Sequence, residues 1–78
     1  MTKRTLGQLK VGESGKIVTV VGDGEVSRRL LEMGLLEGST IELIHEAPFG
    51  GDPIAVRVRG AMIALRRAEA NRVEVELS

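Results

Sequence analysis

The sequence predicts a mostly β chain: a small, partly closed antiparallel barrel of about five strands with one inserted α-helix. Three observations predict it. Short runs in which apolar and polar residues alternate, bounded by glycine or proline, carry the period-2 signature of half-buried strands. One stretch alone carries convincing helical spacing. A chain of 78 residues allows a single domain, spanning 1–78, whose short strands would expose pairing edges unless the sheet curls toward closure.

Taken in order, Thr5 is placed to cap a short helical turn through Leu9, which Gly7 weakens. Gly12 and Gly15 bracket a turn before the β-branched run 16–21, a strand with apolar residues on both faces and therefore no evident inward side. Gly22-Asp23-Gly24 turns the chain into a helix over 25–33, where Val26, Leu30 and Met33 make one apolar stripe at i, i+4 and i+7. Asp23 is positioned to cap its start, and Gly34 suits a left-handed C-cap. After Gly38 a strand runs over Thr40–Glu46. The segment 47–53 is dense in turn residues, and Pro53 can only begin a strand or sit at an edge. Ile54, Val56 and Val58 alternate with Ala55, Arg57 and Arg59 as a half-buried strand. Gly60-Ala61 turns into a strand over 62–65, with Ile63 and Leu65 inward. Residues 67–71 form one helical turn, and Val73, Val75 and Leu77 alternate with Glu74 and Glu76 in the clearest strand of the chain. A helical turn before the last strand is common in SH3-like barrels, which is an analogy of fold.

Composition excludes several functions. There are no cysteines, so disulfides, thiolate metal sites and cysteine nucleophiles are absent. The first ten residues lack the apolar run of a signal peptide, and no stretch approaches a membrane span, so a cytoplasmic protein without membrane insertion is expected. Eleven basic residues balance eleven acidic ones, leaving no surplus charge to neutralise phosphates. Phe49 is the only aromatic residue, which removes a stacking platform for single-stranded bases and an aromatic groove for Pro-rich peptides. Nucleic acid is thus not an expected partner. Gly22-Asp23-Gly24 and Gly50-Gly51 lack the lysine and hydroxyl that a phosphate loop needs. The serines Ser14, Ser27 and Ser39 fall in turn or helix contexts, and nothing recommends a catalytic constellation with the single histidine. No enzyme is expected.

The run Arg29-Leu30-Leu31-Glu32-Met33-Gly34-Leu35-Leu36-Glu37-Gly38 resembles the FeoA family pattern of Arg-Leu, two residues, an apolar residue, Gly-Leu, two residues, Gly. Leu6, Leu9 and Gly12 are similar to the family's opening, Ala47-Pro48 through Gly51-Asp52-Pro53 to its central turn, and Ile63, Leu65, Arg66, Glu69 and Ala70 to its closing stretch. The likeness covers about residues 5–77; Phe49-Gly50-Gly51 carries one more turn residue than many members. What the resemblance implies is an SH3-like fold, no catalysis, no cofactor, and an accessory role beside FeoB, the ferrous-iron transporter with a cytosolic GTP-binding domain. Either that domain or the membrane portion would be the partner. Similar domains end metal-dependent repressors, which gives a metal-responsive regulatory domain as the alternative. The start at Met1 leaves no room for the DNA-binding helical unit of those proteins. A generic peptide-binding barrel is disfavoured by the missing aromatics.

Within that reading Arg28, Leu31, Leu35 and Leu36 form the candidate docking set. At 100° per residue Leu31 lies well off the core stripe, and Leu36 follows Gly34 in a loop where burial is not forced. Together they would make an exposed apolar patch, which also suits a monomer with weak self-association. The competing reading tucks Leu36, or both leucines, under the open end of the barrel as ordinary core. Arg28, Arg29, Arg57 and Arg59 read as a solvated face, with an acidic partner surface or an arginine-finger role as the sharper alternative. Arg29 has a local pairing option with Glu25 or Glu32. His45, near Glu46 and Asp52, suggests a weak metal site, but neighbouring strand residues face opposite ways and no second histidine or thiolate completes a shell. No metal site is therefore assigned.

Overall fold

The structure, a computed structural model, describes residues 3–78. Met1 and Thr2, counted in the expected domain, lie outside the described residues. The strands are β1 (Lys3–Thr5), β2 (Ser14–Val20), β3 (Thr40–Glu46), β4 (Ile54–Val58), β5 (Ala61–Leu65) and β6 (Val73–Leu77). They form one antiparallel sheet in the order β1-β6-β2-β3-β4-β5. A 3-10 turn, Leu6–Gln8, follows β1; α1 (Glu25–Glu32) joins β2 to β3, and α2 (Arg67–Ala70) joins β5 to β6.

The mostly β antiparallel class predicted from the sequence is present, with one longer helix. The strand count is six among the described residues instead of about five, because β1 adds to the outer edge of β6, pairing Lys3 with Glu76. Three residues with two cations offer no alternation from which to read a strand. The sheet is not a closed barrel and keeps two open edges, β1 and β5.

The two-sided apolar pattern of β2 has a structural cause. Its pairing with β6 passes from Ile17–Val75 to Thr19–Glu74, so Val18 is an extra residue. Such a bulge reverses the inward parity of the strand. Ile17 is therefore buried before it, and Val20 packs on the core after it. Ile44 does the same in β3, between the pairs Leu43–Val56 and His45–Ala55.

The core gathers Leu6 and Leu9 from the 3-10 turn, Leu30 from α1, and inward residues of every strand from β2 to β6. Each fully buried Leu, Ile or Val contributes roughly 1.5–3 kcal/mol relative to exposure. Two glycines allow close approaches. A Cβ on Gly7 would meet the Asn71 side chain and come within 2.9 Å of the Arg67 carbonyl oxygen, so Gly7 lets the 3-10 turn lie against α2. A Cβ on Gly15 would meet the Glu76 main chain, where β2 pairs with β6.

Candidate partner-docking site

α1 opens at Gly24, whose φ of 102° no ordinary residue would favour, and no side chain caps it. The expected Asp23 cap is thus replaced by a glycine start with Asp23 exposed. The helix is instead fixed from its inner face. Ser27, buried, donates its hydroxyl to the Val21 carbonyl at 3.1 Å and accepts from Arg72 Nη1 at 3.5 Å, so its hydroxyl is satisfied on both counts. Leu30 is fully buried, and Val26 and Met33 pack on the core, as the apolar stripe predicted.

The helix ends in a Schellman motif. The Gly34 N–H donates to the Leu31 carbonyl (3.0 Å) and the Leu35 N–H to the Leu30 carbonyl (3.2 Å), with Gly34 at φ 103°. This motif brings the residue after the glycine onto the helix's last inward residue. Leu35 accordingly lies in the core beside Leu30, both fully buried. Its place in the docking set is corrected: no partner can reach it. The signal was in the sequence, an apolar residue directly after the C-cap glycine.

Arg28, Leu31 and Leu36 are exposed, Leu31 at 45% and Leu36 at 43%, so both leucines lie outside the core. The backbone fixes their spacing. The Leu36 N–H donates to Gly34 (2.9 Å), the Ser39 N–H to Leu36 (3.0 Å), and the Gly38 N–H to Ile17 on β2 (2.8 Å).

The other candidates separate. Arg29 pairs with Glu69 at the end of α2, not with Glu25 or Glu32 as expected, and so ties α1 to the far helix. Arg57 lies 4.0 Å from Glu42 across β4 and β3, an exposed pair of little energetic weight. Arg59 lies beyond β4, in a two-residue turn with Gly60. His45 and Glu46 are both exposed. Glu46 accepts from Arg67 Nη2 at 2.6 Å, and Asp52 Oδ1 accepts from the Arg67 main-chain N–H at 3.0 Å. His45 joins neither, and among the described residues no three His, Cys, Asp or Glu side chains gather closely enough to hold a metal ion. Arg67 is the residue that sequence reasoning missed. Its Nε donates to the Gly51 carbonyl (2.8 Å) and its Nη1 to the Gly7 carbonyl (2.7 Å), joining the 47–53 turn, the 3-10 turn and the end of β3.

Residues 4–77 match the model of the FeoA domain. The chain belongs to the FeoA family. A Porphyromonas gingivalis relative, an Fe(2+) transport protein A/Fe(2+) transporter FeoB fusion protein, is 40% identical over 72 residues, 92% of this chain but only 8% of that protein's length. A putative Fe(2+) transport protein A of Campylobacter jejuni is 32% identical over 94% of this chain and 97% of its own. Among solved structures, Stenotrophomonas maltophilia FeoA complexed with zinc, an SH3 domain protein, superposes with a TM-score of 0.81 at 33% identity, covering 92% of this chain and 88% of that one. The FeoA fold here is thus SH3-like. A manganese-dependent transcriptional repressor reaches a TM-score of 0.86 at 21% identity over all of this chain and 38% of its own, a likeness of fold alone. No helix among the described residues is long and apolar enough to cross a membrane.

Proposed function

We propose that this FeoA domain is a non-catalytic cytosolic accessory of an FeoB-type ferrous-iron transporter, and that it docks through Arg28, Leu31 and Leu36. The observation that carries this reading is the Porphyromonas gingivalis relative, in whose name a transport protein A and an FeoB transporter are one fusion protein. Two proteins that tolerate permanent linkage work within reach of each other, where linkage raises their effective concentration. Arg28 and Leu31 on the outer side of α1, with Leu36 in the loop that follows, would supply an apolar contact with a cation beside it, chemistry suited to a partial interface core. The regulatory alternative rests on fold likeness to metal-dependent repressors, which does not carry function.

The test is an NMR titration of isotope-labelled protein with the purified cytosolic GTP-binding domain of the transporter. Saturable shifts should centre on residues 28–38. Leu31→Asp should weaken binding by about thirtyfold, the factor expected for an interface hot spot, while thermal unfolding stays within a few degrees of the parent. Full binding by a folded Leu31→Asp variant would remove the patch from the proposal. Absence of any shift at high concentration would move the contact to the membrane portion, or, if that also fails to bind, end the accessory reading.

A further inference from the structure

The two open edges of the sheet are unlike. β1 is three residues long and carries Lys3 and Arg4, the length and charge by which edge strands avoid stray pairing. β5 is Ala61-Met62-Ile63-Ala64-Leu65, five uncharged residues without proline, paired only to β4. Its register fixes which main-chain groups face outward. The Val58–Ala61 pair closes a two-residue turn and so exchanges hydrogen bonds. Antiparallel pairs alternate, which makes Val56–Ile63 and Ile54–Leu65 bonded pairs as well. The N–H and C=O groups of Met62 and Ala64 therefore point away from β4, and no turn, loop or cap bond engages them among the described residues. Both residues are exposed, Met62 at 52%.

Beside this edge lies an open groove of about 490 Å³, with Arg29 and Met33 of α1 on one side and Ala64, Leu65 and Arg66 on the other. Its lining also includes Pro53 and Glu69, so two cations face one carboxylate and the balance is positive. Glu69 is taken up by Arg29, whereas the guanidinium of Arg66 makes no ion pair among the described residues. At the opposite end of β5, Arg59 is an exposed cation in the turn.

We propose that the β5 edge accepts an extended segment of a partner polypeptide as a seventh strand, one with alternating apolar residues in its middle and carboxylates at its ends. Main-chain bonds to Met62 and Ala64 hold the segment, apolar side chains meet Met33 and the exposed methyl of Ala64, and Arg59 and Arg66 receive the carboxylates. This mode needs no aromatic groove, so the shortage of aromatics does not oppose it. A second copy of this chain is the poorer occupant. Antiparallel pairing of Met62 with Ala64 of another β5 sets the Arg59-Gly60 turn against Arg66 of the copy, placing like charges together at both ends. The surface is separate from the Leu31 patch and does not depend on it.

The test uses isotope-labelled protein and a synthetic peptide, Glu-Glu-Val-Thr-Val-Thr-Val-Glu-Glu. We expect saturable shifts along β5 and slowed amide exchange at Met62 and Ala64. A peptide N-methylated at alternate central residues should lose binding, because it cannot complete the ladder. Lysine in place of the glutamates, or Arg59→Gln with Arg66→Gln, should weaken binding about tenfold. Ala64→Pro, which removes an outward N–H and no bond to β4, should abolish it; if that variant does not fold, the N-methylated peptide makes the same distinction. Absent or unsaturable shifts, unchanged exchange at Met62 and Ala64, equal binding of the lysine peptide, or a free protein already dimeric through β5 would each overturn the proposal.

Discussion

Arg67 holds more of this molecule together than any other polar residue. Its guanidinium reaches Gly51, Gly7 and Glu46 at once, within 2.6–2.8 Å, and its own backbone begins α2 under the Asp52 carboxylate. The guanidinium serves the three acceptors from three separate nitrogens, whereas a lysine would have to reach all of them from one. Arg67→Lys should therefore lower stability by about 2 kcal/mol, or roughly 10 °C in thermal unfolding. Glu46→Gln, which alters only the exposed arm, should cost less than about 1 kcal/mol in the same measurement. Gly7→Ala tests the neighbouring contact. The added methyl has the Arg67 carbonyl at 2.9 Å and the Asn71 side chain in its way. Because a carbonyl must shift to admit it, a loss of about 1–3 kcal/mol is expected.

At the scale of elements, stability is concentrated at ends and turns. Gly34 holds φ 103°, which costs any other residue about 1–2 kcal/mol, so Gly34→Ala should lower the denaturation midpoint and loosen Leu35 from Leu30. The β4–β5 turn carries the opposite opportunity. Arg59 and Gly60 both have positive φ, 52° and 83°, the two-residue hairpin turn for which Asn-Gly is the preferred pair. Arg59→Asn should stabilise by about 0.5 kcal/mol, read as a rise of a few degrees in thermal unfolding. These elements also show how far the sequence could be read. β4, β6 and both helices were legible because each has one period and clear punctuation, whereas β3 changes parity at Ile44. β2 was legible as a strand but not as a face, since parity is lost at Val18 and only pairing reveals the extra residue. Leu35 was misplaced because helical periodicity stops at the glycine, whereas the Schellman cap turns the next residue back inward. Arg67 left no local mark, since its acceptors lie up to 60 positions away in the chain.

For the molecule as a whole, the sheet order places β6, β2, β3 and β4 between two neighbours each and leaves β1 and β5 with one. Hydrogen exchange should follow that order. Amides of Ile17 and Val75, on facing central strands, should exchange most slowly, and those of Lys3 to Thr5 fastest. Equal protection in β1 and β6 would contradict the open edge. The brace between Arg29 and Glu69 adds a link across the molecule, from α1 to α2, that complements the Schellman cap and the Ser27 bond to Val21. α1 is thereby fastened at its start, its middle and its end. A surface fastened in this way has a kinetic signature. Leu31 and Leu36 do not have to find their arrangement during an encounter, so trimming either one should leave the association rate of a bound partner nearly unchanged and appear as a shorter residence time.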